Sequence, residues 1–254
     1  MDRKNDYIAV FDSGVGGISV LRQLVKLLPR ERYLYFGDSA NAPYGPRPTE
    51  QIRALTLAAV EGLMERGVKA LVVACNTATS VAIGDLRKKY PDTIIIGIEP
   101  ALKVAADRFP GGRVGVMATQ TTLREEKFDS LLHRFGGQCQ VTELPVPGLV
   151  ELVEAGKGNS PEAEALLRPV LEPYRHKLDA LVLGCTHYPF AREVIGNILG
   201  PETKLLEGGP GTARETCRRL EEAGLLHDGP GEIRIENSSD DERLIALCRR
   251  LLEE

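Results

Sequence analysis

The 254-residue chain has no apolar run long enough to cross a membrane. The longest, such as Ala70–Cys75, fall far short of the roughly 18 residues a spanning helix needs. The opening Met1-Asp2-Arg3-Lys4-Asn5-Asp6 has no apolar signal region, so a cytoplasmic protein without membrane contact is expected. A basic stripe is missing too: 32 Lys plus Arg stand against 36 Asp plus Glu, for a net charge of −4. That balance offers no electrostatic footprint for a phosphate backbone and argues against nucleic acid as a direct partner. There is no C-x-x-C pair. The five cysteines, at 75, 139, 185, 217 and 248, are an odd number, which fits reduced thiols better than a disulfide framework or a zinc site. With 43% apolar and 27% charged residues, no low-complexity tract and no collagenous period, the chain is an ordinary globular one.

What is present is a recurrence. Short runs rich in Val, Ile, Leu and Tyr appear at Tyr7–Phe11, Tyr33–Phe36, Ala70–Ala74, Thr93–Ile98, Arg113–Met117, Gln140–Leu144, Ala180–Leu183 and Lys204–Leu206. Most are separated by segments of helical spacing, such as Ile18, Leu21, Leu24, Val25 and Leu28. Strand and helix in alternation predict an α/β protein with mostly parallel strands. Periodicity alone fits one (β/α)₈ barrel of about 250 residues as well as two open sheets.

An internal repeat bears on that choice. Lys69-Ala-Leu-Val-Val-Ala-Cys75-Asn76-Thr77 lines up with Asp179-Ala-Leu-Val-Leu-Gly-Cys185-Thr186-His187, 110 residues on, and the flanking strands align at similar offsets. Breaker clusters at Phe109–Gly112, Gly200-Pro201, Gly208–Gly211 and Asp228–Gly231 mark turns. The expectation is two similar α/β domains, 1–97 plus 207–254 and 98–206, related by a pseudo-twofold axis. The last helix, with Leu244, Leu247, Cys248 and Leu251 on one face, reads as a core stripe.

Cys75 follows a strand and precedes Asn76-Thr77, good helix N-cap residues; Cys185 has the same setting, followed by Thr186-His187-Tyr188-Pro189. These are carboxyl ends of parallel strands, where ligands bind in such sheets. The positive end of the following helix is expected to lower a thiol's pKa below its free value of about 8.5. Two thiols at equivalent positions of two facing halves suit stereochemical inversion, in which one group removes a proton and the other returns one to the opposite face. A cysteine protease gains nothing from a second, symmetric Cys.

The loop Asp12-Ser13-Gly14-Val15-Gly16-Gly17 follows a strand and opens a helix, so its N–H groups suit an anion. As a dinucleotide fingerprint it fails: Ser19 occupies the third glycine position and Asp12 would repel a pyrophosphate. Asp38–Gly45 is a polar loop at another strand end, with Tyr44 its only bulky side chain. His133, His176 and His227 lack ligand spacing and read as surface residues; Cys139, Cys217 and Cys248 read as packing residues, and Glu99-Pro100 as a turn.

Phe11-Asp12-Ser13-Gly14-Val15-Gly16-Gly17, Pro43-Tyr44-Gly45, Ala74-Cys75-Asn76-Thr77-Ala78 and Gly184-Cys185-Thr186-His187-Tyr188-Pro189 together resemble the bacterial glutamate racemase family of the cofactor-independent amino-acid racemases. The C-T-H-Y-P form is the specific part, since aspartate racemases of the superfamily usually have Glu after C-T. The resemblance runs nearly end to end. It implies two α/β domains with the active site in the cleft between them, and Cys75 and Cys185 as paired acid and base. It further implies that Asp12 and His187 assist the thiols, with Glu151 near His187. Substrate contacts are implied for Asp12, Ser13, Tyr44, Gly45, Asn76, Thr77, Thr119, Thr186 and His187. No metal, flavin or pyridoxal phosphate is implied. The expected activity is interconversion of L- and D-glutamate, supplying D-glutamate for peptidoglycan, by a cytoplasmic homodimer. Two departures stand out: Asn41 where many relatives carry Arg, and Glu207-Gly208 where many carry Asp-Ser.

Overall fold

A computed structural model describes residues 3–98, 101–124 and 126–254, which leaves Glu99 and Pro100 outside the described residues. The first half runs β1 (Tyr7–Asp12), α1 (Ile18–Leu27), β2 (Arg32–Gly37), α2 (Thr49–Met64), β3 (Val68–Val73), α3 (Asn76–Lys89) and β4 (Ile94–Gly97). The second runs α4 (Leu102–Arg108), β5 (Arg113–Ala118), α5 (Gln120–Arg124), α6 (Glu126–Phe135), β6 (Gln140–Pro145), α7 (Leu149–Glu154), α8 (Pro161–Leu171), β7 (Ala180–Leu183), α9 (Arg192–Leu199) and β8 (Lys204–Glu207). The chain then adds α10 (Gly209–Glu222), β9 (Glu232–Asn237) and α11 (Glu242–Glu253).

Two separate parallel sheets result, which disposes of the barrel. One has the order β4-β3-β1-β2-β9, the other β6-β5-β7-β8. Without β9, both read second-first-third-fourth, so the repeat in sequence is a repeat in topology. In each sheet the chain steps from its first strand to one side and then returns to the other. This creates a switch point between β1 and β3 and another between β5 and β7, where the loops at the carboxyl ends diverge and leave a crevice.

The central strands are buried along their whole length. β1 and β3 have no exposed residue, because helices cover both faces of a parallel sheet and a continuous apolar run is what both faces demand. Tyr33, Tyr35 and Val72 pack toward α1, α10 and α11 on one face of the first sheet, while Phe11, Leu71 and Val73 pack toward α2 and α3 on the other. α1 buries Ile18, Val20, Leu21 and Leu24 and leaves Lys26 and Leu27 outward. α8 opens with Ser160 Oγ accepting from Ala163 N at 3.3 Å and Pro161 in its first turn.

All eight expected strands are present, and β9 is an addition. Its sequence Glu-Ile-Arg-Ile-Glu-Asn alternates apolar with charged, and its outer flank is an open sheet edge, where charge blunts unwanted pairing. Among the described residues no helix is long and apolar enough to cross a membrane.

Candidate active site

Cys75 lies two residues beyond β3 and is the N-cap of α3, with its Sγ accepting from Ala78 N at 3.4 Å and lying 3.4 Å from Ser13 Oγ. Cys185 lies two residues beyond β7, the equivalent place in the other sheet, and its Sγ is 3.7 Å from His187 Nδ1. Both thiols are buried and both open on one cavity of about 520 Å³. Ser13, Tyr44, Gly45, Asn76 and Thr77 line it from the first half; Thr119, Glu151, Thr186 and His187 line it from the second.

Asp12 is absent from that lining. It ends β1 fully buried behind the cavity, where its carboxylate accepts from Gly14 N at 3.0 Å and from Thr186 Oγ1 at 3.0 Å. Burial pushes its carboxyl up to about 6, against the pull of His187 and the two hydrogen bonds. Asp12 therefore faces Thr186 of the opposite half rather than solvent.

The helix N-terminus does not lower the Cys75 thiol, contrary to the expectation from sequence. Burial, with Asp12 adding a like charge, pushes it up to about 12, and the hydrogen bonds from Ser13 and Ala78 only partly offset that. An N-terminal helix field amounts to partial charges at one end, whereas removing water from a thiolate is a larger opposing effect.

His187 lies 3% exposed between two partners. Burial alone would push its pKa down, but contacts with Cys185 and Glu154 outweigh it and hold the imidazolium well above the ordinary histidine range. The carboxylate on His187 Nε2 is Glu154, with Oε1 at 2.6 Å, where Glu151 was expected. Both sit on α7, three residues apart; Glu151 points to the cavity and is exposed, while Glu154 turns inward and also accepts from Val15 N at 2.7 Å. Glu154 thus joins the glycine loop of one half to the histidine of the other. Ser19 Oγ adds a second tie, donating to Thr186 O at 2.9 Å.

Opposite the thiols, Thr77 at the start of α3 meets Thr119 and Thr122 around α5, with Oγ1–Oγ1 distances of 3.2, 3.2 and 2.9 Å. Tyr44 is held by donating its hydroxyl to Asp38 Oδ2 at 2.7 Å, and Asn41 Nδ2 donates to both oxygens of that carboxylate at 3.0 and 3.1 Å. Asn41 thus supports the loop through its uncharged amide, without an ion pair. Glu207 pairs with Arg192 at 3.3 Å and does not line the cavity. Asn76 Oδ1 is buried with no hydrogen-bond partner among the described residues, an acceptor aimed at nothing the chain supplies. No group of three or more His, Cys, Asp or Glu among the described residues is set to hold a metal ion.

Sequence reasoning missed Glu154 and Thr122. Glu154 shares helix α7 with Glu151, so spacing alone gave no means of ranking the two. Thr122 was visible only as one of several hydroxyls after β5.

Two doubly wound sheets whose switch points face a single cavity, each contributing one thiol, define a two-domain α/β enzyme of the racemase class. The chain belongs to the Asp/Glu/Hydantoin racemase family, whose model matches residues 8–210. It is 47% identical to the glutamate racemase of Clostridium botulinum strain Alaska E43 over 100% of this chain and 99% of that one. Among solved structures, glutamate racemase from Thermus thermophilus in complex with β-chloro-D-alanine is 40% identical, with a TM-score of 0.84 over 99% of this chain and 94% of that one. Escherichia coli glutamate racemase, in complex with L-glutamate and the activator UDP-MurNAc-ala, is 34% identical, with a TM-score of 0.87 over 97% and 95% of the two chains.

Proposed function

We propose that the protein interconverts L- and D-glutamate by a two-base proton transfer at Cα, with Cys75 and Cys185 as the acid and base and no cofactor. The observation that carries this reading is the placement of two thiols, from equivalent positions of two like sheets, on one cavity. The names of its relatives supply the substrate.

In the resting site the proton belongs on Cys75, whose burial disfavours the thiolate, while Cys185 Sγ faces the His187 imidazolium at 3.7 Å. Cys185 removes the Cα proton from one face of the amino acid and Cys75 gives its own proton to the other; the reverse reaction returns both. The free Asn76 Oδ1 accepts from the substrate ammonium, and the hydroxyls of Ser13, Thr77, Thr119 and Thr186 with the helix N-termini hold the carboxylates. A Cα proton is a poor acid, so water exclusion between the halves is needed to strengthen the electrostatics around the carbanion-like state.

Glu154 and Asp12 position the thiols' neighbours, Glu154 by holding His187 and Asp12 by holding Thr186. For Glu151, which lines the cavity without touching His187, a rim position in substrate binding replaces the expected histidine contact. The proposal includes domains 1–97 plus 207–254 and 98–206, a cytoplasmic homodimer, and D-glutamate supply for peptidoglycan as the physiological role.

The test is loss of the circular dichroism of L-glutamate in D₂O without added cofactor, with L-aspartate in parallel. Racemisation with deuterium at Cα, abolished in both Cys75→Ala and Cys185→Ala, is the expected result. Turnover of aspartate alone would move the substrate, and silence with both would end the reading.

A further inference from the structure

We propose that Arg47 and Arg124 form a cationic lip on the cavity, one from each half, that selects acidic amino acids over neutral ones at the stage of capture. The proposal rests on the racemase reading above and adds to it where the substrate's net charge is sensed.

The two guanidinium groups come from unrelated places in the chain. Arg47 lies in the loop between β2 and α2, and Arg124 is the last residue of α5; both line the 520 Å³ cavity. Arg124 is exposed, and Arg47 is half-buried with Nε donating to Asn41 O at 2.9 Å. Neither is ion-paired with a described residue. Several arginines on the outer surface are ion-paired instead: Arg168 with Glu164 and Glu172, Arg218 with Glu215 and Glu222, Arg243 with Asp241. Two guanidinium groups without a carboxylate partner among the described residues, one from each half, therefore border one cavity.

The interior offers a different chemistry. Its carboxylate donors are hydroxyls and backbone N–H groups, its cationic side chain is His187, and that charge is already matched by Glu154. The described acidic side chain on the wall is Glu151. A glutamate zwitterion carries one net negative charge and a neutral amino acid none, so only the former gains from a rim of positive potential. Charges of this kind act on encounter and weak capture, are screened by salt, and leave the chemical step alone.

The test uses steady-state racemisation of L-glutamate by wild type, Arg124→Gln, Arg47→Gln and the double variant at low and high ionic strength. At low salt each single change should lower kcat/KM by about twofold to threefold and the pair by about fivefold to tenfold, with kcat within about twofold of wild type. The salt dependence of kcat/KM should flatten in the double variant. The double Arg→Lys variant should restore both, which a purely structural role of Arg47 on its loop would not allow. Unchanged kcat/KM and salt slope, a loss confined to kcat, or a loss that Lys does not rescue would each overturn the lip. A wild type silent on glutamate would remove the racemase reading and the lip together, whereas an active wild type with indifferent arginine variants removes the lip alone.

Discussion

At Cys75, desolvation outweighs the helix that follows it, and the thiol rests protonated. Iodoacetamide should therefore alkylate Cys75 of the free protein slowly near neutrality, about tenfold faster for each pH unit up to about 10, because the thiolate is the nucleophile. A plateau near pH 8, followed by mass spectrometry of the modified peptide, would contradict this. Asp12 is the second residue set by burial. Its carboxyl sits at about 6 in the fold against 3.8 when free, so it stabilises the fold as the neutral acid. That contribution is complete below about pH 4 and is lost as pH rises through about 6, about 3 kcal/mol in all. Urea unfolding of wild type and Asp12→Asn between pH 4 and pH 7.5 should show wild type losing that much relative to the variant. A difference that stays flat across the window would refute it. At this scale the two thiols were legible from their place after strands, whereas Asp12, His187 and the hydroxyls were expected from the family resemblance. Their ionisation was not legible, because it depends on how much water the other half excludes.

At the level of elements, a buried ion pair ties together the amino-terminal ends of two inner strands of the first sheet. Lys69, the second residue of β3, is fully buried, pairs with Glu31 just ahead of β2 at 2.6 Å, and donates to Leu225 O beyond α10 at 2.9 Å. Burial lowers the Lys69 pKa, with Glu31 opposing. Lys69→Met should cost about 3–5 kcal/mol in unfolding free energy because it strands the Glu31 carboxylate, while Lys69→Met with Glu31→Leu should recover most of it. Equal losses in both, measured by denaturant unfolding, would refute the pairing argument. The same β3 read from sequence as an ordinary apolar strand beginning at Ala70, since a lysine at its head looks like a boundary until its partner is seen. β9 was illegible for a related reason: half its side chains are charged, and its assignment to the sheet comes from pairing with β2 across some 200 residues. α7 shows the limit in a third form. Its two glutamates lie one turn apart, and only packing against the glycine loop turns Glu154 inward.

Across the whole molecule, the halves meet at a seam in which Thr186 reaches Asp12, Glu154 reaches Val15 and Ser19 reaches Thr186, beside Val153 and Phe190 of the second half packed into the core of the first. The glycine loop allows this approach: a Cβ on Gly14 would run into Glu154, and one on Gly16 into His187 and, at 2.6 Å, Thr186. Gly16→Ala should thus push the halves apart at the site, lowering kcat by about a hundredfold while moving Tm by only a few degrees, because most of the core residues of each half pack within that half. Loss of the folded far-ultraviolet spectrum would show instead that the glycine serves folding of β1 and α1.

The sequence by itself determined the alternation of strand and helix, the duplication, and the appearance of a thiol after the third strand of each copy, since these depend on local periodicity and residue type. Only the tertiary structure decided that Asp12 faces Thr186, that Glu154 rather than Glu151 holds His187, and that Cys75 rests protonated. Those outcomes depend on distances between residues far apart in the chain and on water excluded when two halves pack, and neither quantity is encoded in any short stretch of sequence.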